Sequence, residues 1–136
     1  MIIVVISSSI EAARGVFATI KSEHQGPTAA LALHDIPSQE TRERHIAAVK
    51  YERTESFITV VVNPKTVEEV AQLRAKGAVI CHHVDALASI HKQLPILRTD
   101  LVFTTRRAGA LNSALTVGEL LSECKIMHRK SIRQGR

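Results

Sequence analysis

The sequence contains few of the residues that would mark a secreted, membrane-spanning or base-stacking protein. Its 136 residues include two cysteines, three phenylalanines, one tyrosine and no tryptophan. Cys81 and Cys124 each lie in an apolar pattern, so we expect buried free thiols in a cytoplasmic protein, with a disulfide between them as the alternative. The scarcity of aromatic rings argues against a surface that stacks single-stranded bases. No apolar run reaches the roughly 18 to 20 residues that a membrane helix needs, and no basic segment typical of a secretory signal precedes the first apolar run.

Acidic residues are missing from the last twelve positions, and this absence locates the net charge. The formal charge of the chain is +5. The final twelve residues hold five cations, Lys125, Arg129, Lys130, Arg133 and Arg136, whereas the rest of the chain is balanced. We therefore predict one α/β domain over residues 1–129 and a basic, flexible C-terminal tail over residues 130–136. The tail is a candidate contact for nucleic acid, although a solvated helix end explains the same charges.

The remaining pattern alternates strands with helices. Short apolar runs predict strands at residues 1–6, 29–33, 57–62, 78–81 and 101–104, and helical periodicity predicts helices at residues 9–24 and 39–53 and after Thr116. Between the third and fourth strands, Asn63 is a candidate N-cap, Pro64 a first helical residue and Gly77 a left-handed helix terminator. Thr116 and Glu119 have the spacing of a capping box. Parallel strands need such crossovers, so we predict a three-layer α/β sandwich with a mainly parallel sheet of about five strands.

The helix predicted at residues 39–53 is markedly polar. Its clear apolar anchors are Ile46, Val49 and Tyr51. A helix with so few anchors lies at the surface or packs against a partner, so we predict a homo-oligomer or a protein partner at this helix.

The carboxyl ends of parallel strands share one edge of the sheet, where ligands usually bind. The candidate binding residues at this edge are Ser7, Ser8, Ser9, Asn63, His82, His83, Asp85, Arg106 and Arg107. The three serines lie at a helix start, where free N–H groups can hold an anion, or where a serine can simply cap the helix. The two arginines can clamp a phosphate or carboxylate, or form a solvated loop.

Histidines and an aspartate after the fourth strand form the richest group of possible metal ligands. This group consists of His82, His83, Asp85 and His91. Adjacent residues on a strand point to opposite faces of the sheet, and no zinc-ligand spacing is present, so we predict no metal site. Either of the first two histidines could act as a general base, although no partner nucleophile is evident.

The sequence resembles the P-loop nucleotide kinases of the deoxynucleoside monophosphate kinase and dephospho-coenzyme A kinase type. The matching features are the strand at residues 58–62, Glu68-Glu69, Leu73, the run at residues 77–80, the run at residues 100–104, Gly109-Ala110-Leu111, Val117 and Leu120-Leu121. The resemblance covers most of the chain loosely, through structural motifs. It implies a P-loop/Rossmann-like fold, with a phosphate loop expected between the first strand and the first helix.

The glycines and lysine of that phosphate loop are missing. No G-x-x-x-x-G-K-[ST] or G-x-G-x-x-G is present, and the first glycine, Gly15, lies inside the predicted helix. Without these groups a triphosphate cannot be wrapped or its charge neutralised. We therefore expect a small soluble non-catalytic protein of kinase-like fold that binds a protein partner or a small ligand, with no cofactor indicated. An enzyme acting on a nucleotide or other phosphorylated small molecule is the first alternative, and a nucleic-acid accessory protein is the second.

Overall fold

The computed structural model describes residues 1–106 and 114–134, which form a parallel sheet between two layers of helices. The strands are β1 (Ile2–Ile6), β2 (Thr28–Ala32), β3 (Ile58–Val62), β4 (Val79–His83), β5 (Leu101–Thr104) and β6 (Leu115–Thr116). The helices are α1 (Ile10–Glu23), α2 (Gln39–Ala48), α3 (Val67–Ala75) and α4 (Val117–Arg133), with 3-10 turns at Leu33–Asp35 and Ser89–Lys92. The strand order is β2-β3-β1-β4-β5-β6, and each pairing is parallel. The predicted α/β class, with a P-loop/Rossmann-like sheet, is confirmed. The sixth strand was not predicted because its two residues leave no alternation pattern.

Strand β1 lies at the centre of the sheet and is covered on both faces. All five of its residues are fully buried, because β3 and β4 flank it and helices lie above and below. Ile3 and Val5 pack with α1 and α4, whereas Ile2, Val4 and Ile6 pack with α2 and α3. A strand buried on both faces reads as a continuous apolar run.

Helix caps explain where two of the helices begin. Ser9 accepts a hydrogen bond from the Ala12 amide and caps α1, and Thr116 with Glu119 forms the predicted capping box of α4. The prediction that Asn63 caps α3 was wrong. Thr66 caps that helix instead, because its hydroxyl accepts from the Glu69 amide. The Asn63 side chain is engaged elsewhere, at the β1–α1 turn.

The polar helix α2 is held by charged groups rather than by an apolar stripe, and it ends five residues earlier than predicted. Arg42 is buried, and its Nε donates to Oε2 of Glu69, which is fully buried, at 2.9 Å. The Lys76 ammonium donates to the carbonyl oxygens of Ile46, Ala47 and Val49 at the C-terminal end of α2. These contacts to α3 and to its C-cap residue hold α2 in place within one chain, although α2 has few apolar anchors. An oligomeric interface on this helix stays a prediction.

The two cysteines are free and buried, as the sequence predicts. Their sulfur atoms lie 3.6 Å apart between β4 and α4. The hydrogen bond to Cys124 and burial raise the pKa of the Cys81 thiol well above its usual value. Among the residues that the structure describes, no helix is long and apolar enough to cross a membrane.

Candidate functional site

The structure brings several of the predicted site residues together at the carboxyl edge of the sheet. Ser7 directly follows β1, Asn63 follows β3, His83 ends β4 and Asp85 lies two residues beyond it. Arg106 is exposed beyond β5, and Arg107 lies outside the described residues, as does Gly109-Ala110-Leu111. Because the strands are parallel, their carboxyl ends converge as expected.

The backbone amides of the turn between β1 and α1 donate hydrogen bonds to acceptors within the protein. The Ser7 amide donates to Asn63 Oδ1 at 2.8 Å, the Ser8 amide to the Ala86 carbonyl at 2.9 Å, and the Ser9 amide to Ser7 Oγ at 3.0 Å. In α1, the Ser9 hydroxyl accepts a hydrogen bond from the amide of residue 12, and the Ser9 carbonyl accepts one from the amide of residue 13. This leaves at most the amides of residues 10 and 11 for an external anion. The turn is thus closed by hydrogen bonds within the protein.

Asn63 makes this closure possible through its backbone conformation. Its φ angle is +52°, a left-handed conformation that asparagine adopts more readily than most residues. In this conformation its side chain reaches the Ser7 amide, and its own amide donates to the Val5 carbonyl at 2.9 Å. The residue therefore ties the end of β3 to the end of β1, and its side-chain oxygen already has a donor.

Ser7 is hydrogen-bonded to His83, and the other ring nitrogen of His83 lies near Asp85. The Ser7 hydroxyl lies 2.7 Å from His83 Nδ1. The hydroxyl oxygen also accepts the amide of Ser9, and which of the two side chains donates in the Ser7–His83 bond depends on whether the ring proton is on Nδ1 or on Nε2. Nε2 faces Oδ2 of Asp85 at 3.5 Å and the Thr105 hydroxyl at 3.4 Å.

These three residues are of the types that serve as a nucleophile, a base and an orienting acid. A nucleophile must touch its substrate, however, and Ser7 is only 1% exposed while His83 is 2% exposed. The imidazole also stacks on Phe103, with ring centroids 4.9 Å apart and planes 8° apart. The Ser7–His83 hydrogen bond therefore joins the ends of β1 and β4, and the Ser7 hydroxyl does not reach the surface.

Asp85 connects the end of β4 to the end of β5. Its Oδ2 accepts the Thr104 hydroxyl at 2.6 Å and the Thr105 amide at 3.1 Å. The Thr104 bond, followed by the Thr105 amide and the nearby His83 and Arg106, lowers the pKa of this carboxyl against the opposing effect of burial. Its buried Oδ1 has no partner among residues 1–106 and 114–134.

His82 lies on the other face of the sheet and belongs to a second network. Its Nδ1 is 2.8 Å from His91 Nε2, and its Nε2 is 2.8 Å from Oδ2 of Asp100. His91 Nδ1 accepts the Ala88 amide at 3.0 Å, so every tautomer is determined: His91 donates to His82, which donates to the carboxylate. Burial, then the neighbouring His82, lowers the pKa of His91.

Arg74 completes this second network. Its two terminal nitrogens donate to the two oxygens of Asp100 at 2.5 and 2.7 Å. Burial alone would raise the pKa of Asp100, but the hydrogen bonds from Arg74, His82 and the Leu97 amide outweigh it and lower the pKa to about 2. Sequence reasoning missed Arg74 and Asp100, because an arginine in a helix and an acid before a strand are ordinary.

The group of four possible metal ligands therefore does not converge. His82 and His91 lie on the α3 face, whereas His83 and Asp85 lie on the α1 face, as the alternation of strand side chains requires. No group of three or more metal-binding side chains occurs in the part of the chain that the structure describes.

The basic residues near the C-terminus lie on α4, which continues to Arg133. Arg129 pairs with Glu55 through two hydrogen bonds of 2.6 and 2.8 Å. Lys130 and Arg133 are exposed, Lys125 is half-buried, and Arg136 lies outside the described residues. The flexibility predicted for residues 130–136 stays a prediction.

Comparison with known proteins adds no assignment. No protein-family model, curated protein or solved structure significantly matches the chain. The fold is therefore shown by the structure alone, and the resemblance to nucleotide kinases extends no further than this parallel α/β architecture.

Proposed function

We propose that this protein acts by binding a ligand or partner and that it does not transfer phosphate. One observation carries the proposal: the turn that would cradle phosphates in a nucleotide kinase has its amides bonded internally, to Asn63, to Ala86 and to the serines of the turn itself. A phosphate loop works because its amides are free to point at the anion.

The energy needed to open the turn also opposes phosphate binding. Opening the turn for a phosphate breaks several internal hydrogen bonds, each worth about 1 kcal/mol. The nearby carboxylates also oppose an anion, since Glu11 lies in the first turn of α1 and Asp85 is at the same edge of the sheet. Phosphoryl transfer requires positive charge around the transferred group, which this turn does not supply.

Thermal-shift measurements with nucleoside mono- and triphosphates, with and without Mg²⁺, test the proposal together with an assay for phosphoryl transfer. We expect no rise in melting temperature and no transfer, because a ligand stabilises only when it exceeds its dissociation constant. A rise that Ser8→Trp abolishes would overturn the proposal and place a nucleotide at the turn. Ser122→Trp, at an exposed position of α4, is the matched control.

The basic side chains of α4 support a second candidate, contact with nucleic acid. Lys130 and Arg133 are exposed near one end of an ordered helix. Binding through such side chains weakens steeply with salt, in proportion to the phosphates neutralised. If α4 contacts duplex DNA, Arg133→Glu lowers the affinity and reduces the salt slope by about one unit, whereas Arg14→Glu on α1 leaves both unchanged. The absence of salt-dependent binding by the unaltered protein would exclude this function.

A further inference from the structure

We propose that a cleft at the amino edge of the sheet binds a small organic anion with an apolar body and an N–H or O–H donor. This inference rests on the proposed binding function and names a site and a ligand class for it. The cleft lies opposite the edge where the fold favours ligands, between the starts of β4 and β5 and the C-terminal half of α4. Its volume is about 590 Å³, within the range of small-molecule sites.

A buried histidine in the wall of the cleft has an unused hydrogen-bond acceptor. His128 lines the cleft and is only 1% exposed. Its Nε2 lies 2.7 Å from the Arg53 carbonyl, which can only accept, so Nε2 carries a proton and, in the neutral ring, Nδ1 is a bare acceptor. That Nδ1 is buried and has no partner among the described residues. Such an atom costs about 1–3 kcal/mol, which a ligand donor would recover by moving the part of the cleft wall that covers it.

A second unpartnered atom lies close behind the same wall. The Tyr51 ring is 5.5 Å from the His128 ring, and its buried hydroxyl has no partner in the part of the chain described by the structure. Tyr51 also covers Gly77, another wall residue, whose missing side chain leaves room for the ring: a Cβ there would lie 3.0 Å from Tyr51 Cε2. The Tyr51 ring thus packs behind two residues of the cleft wall, His128 and Gly77.

The charges of the cleft favour an anion. Arg74 and Asp100 line it, but their bidentate pair cancels their charges. Lys130 is exposed, lines the cleft and has no ion-pair partner among the described residues. One uncompensated cation therefore faces a cavity whose other walls include Val79, Leu97 and Met127. A ligand that satisfies these groups places an anion at the lysine, a donor at the histidine and apolar atoms between them.

The probe 1-anilinonaphthalene-8-sulfonate carries all three features: a sulfonate, an anilino N–H and a fused apolar ring system. A fluorescence titration at neutral pH and low salt measures its affinity for the full-length protein. We expect Lys130→Glu to weaken binding about tenfold, since reversing one close charge changes the free energy by roughly 1.4 kcal/mol. Thr99→Trp, an exposed residue of the lining, should weaken binding at least as much by filling the cleft.

Lys21→Glu is the matched control, because Lys21 is an exposed lysine in the last turn of another helix, α1, as Lys130 is in α4. We expect this variant to bind the probe as the unaltered protein does. Equal affinities of Lys130→Glu, Thr99→Trp and Lys21→Glu would overturn the proposal, because the probe would then bind elsewhere. No binding by the unaltered protein would also overturn it.

A second readout follows the histidine directly. In long-range ¹H–¹⁵N spectra, we expect His128 Nδ1 to be unprotonated in the free protein and to shift when the probe donates to it, with His128→Gln providing the assignment. An unmoved resonance at saturating probe contradicts the proposed contact. These outcomes do not depend on phosphoryl transfer. A measured transferase activity would refute the proposed function, but binding of the probe to the cleft could still be tested. Failure of the probe to bind the cleft would not change the conclusion that the β1–α1 turn is closed by internal hydrogen bonds.

Discussion

Replacing Asp100 with asparagine keeps the shape of the side chain and removes the charge that joins α3 to the start of β5. The carboxylate accepts two hydrogen bonds from Arg74, one from His82 and one from the Leu97 amide. Its side chain is 1% exposed and that of Arg74 is 24% exposed. The substitution therefore leaves a partly buried guanidinium without its counter-charge, while the His82 donor still finds an amide oxygen.

The magnitude follows from the pKa of Asp100, which is lowered from 3.8 to about 2. This difference corresponds to about 2 kcal/mol of stability. Because the folded-state pKa is the lower one, the contribution is fully present above 3.8 and is lost as the pH falls toward about 2. At about pH 3 roughly half of it remains. We expect Asp100→Asn to lower the free energy of unfolding by about 2–3 kcal/mol at neutral pH, and by about 1 kcal/mol less at pH 3.

Urea unfolding followed by circular dichroism, repeated from about pH 7 to pH 3, measures both effects. Asp35→Asn is the control, since that carboxylate is 69% exposed and its loss should change stability by less than about 0.5 kcal/mol. A gap between the unaltered protein and Asp100→Asn that stays constant down to pH 3 would refute the reasoning, because the carboxyl would then not be held ionised by the fold.

Three further predictions concern the interior. Arg42→Met should lower the free energy of unfolding in urea by about 3–5 kcal/mol, because it leaves the fully buried Glu69 carboxylate without its counter-charge. Adding Glu69→Gln should recover part of that stability, and additive effects of the two substitutions would contradict the pairing. Cys81 and Cys124 should react with Ellman's reagent only when the protein unfolds, because both are buried and the Cys81 pKa is raised; rapid labelling under native conditions would contradict this. Gly77→Ala should lower stability by at least about 1 kcal/mol, because φ is +89° and the added carbon meets a tyrosine ring, and an unchanged unfolding midpoint would refute it.

The sequence predicts the parts of the candidate sites that depend on local pattern. Apolar runs identify five of the six strands, and the parallel arrangement then places Ser7, Asn63 and His83 at one edge of the sheet. The two-residue repeat of a strand likewise separates His82 from His83. The predicted helix boundaries were less accurate where a side chain makes a long-range contact. Asn63 accepts a hydrogen bond from the Ser7 amide and does not cap α3, so that helix begins later than predicted.

The partners of the polar groups were not predictable in this way. Ser7 and His83 are 76 residues apart, and His128 and Arg53 are 75 residues apart, yet each pair is in direct hydrogen-bond contact. No local spacing signals such contacts, because they arise from the order in which strands and helices pack. The cleft beside α4 likewise has walls from three segments that are far apart in sequence, so no sequence motif predicts it.

By itself, the sequence determined the class of fold, the central position of β1 and the absence of a phosphate-loop motif between β1 and α1, because hydrophobic periodicity and residue type are local properties of the chain. Only the tertiary structure decided that the β1–α1 turn is closed by its own hydrogen bonds, that α2 is held by a buried ion pair with Glu69, and that His128 borders a cleft with an unused acceptor. The physical reason is that a buried polar group takes its partner from whatever packing brings within about 3 Å, and that packing joins residues far apart in sequence.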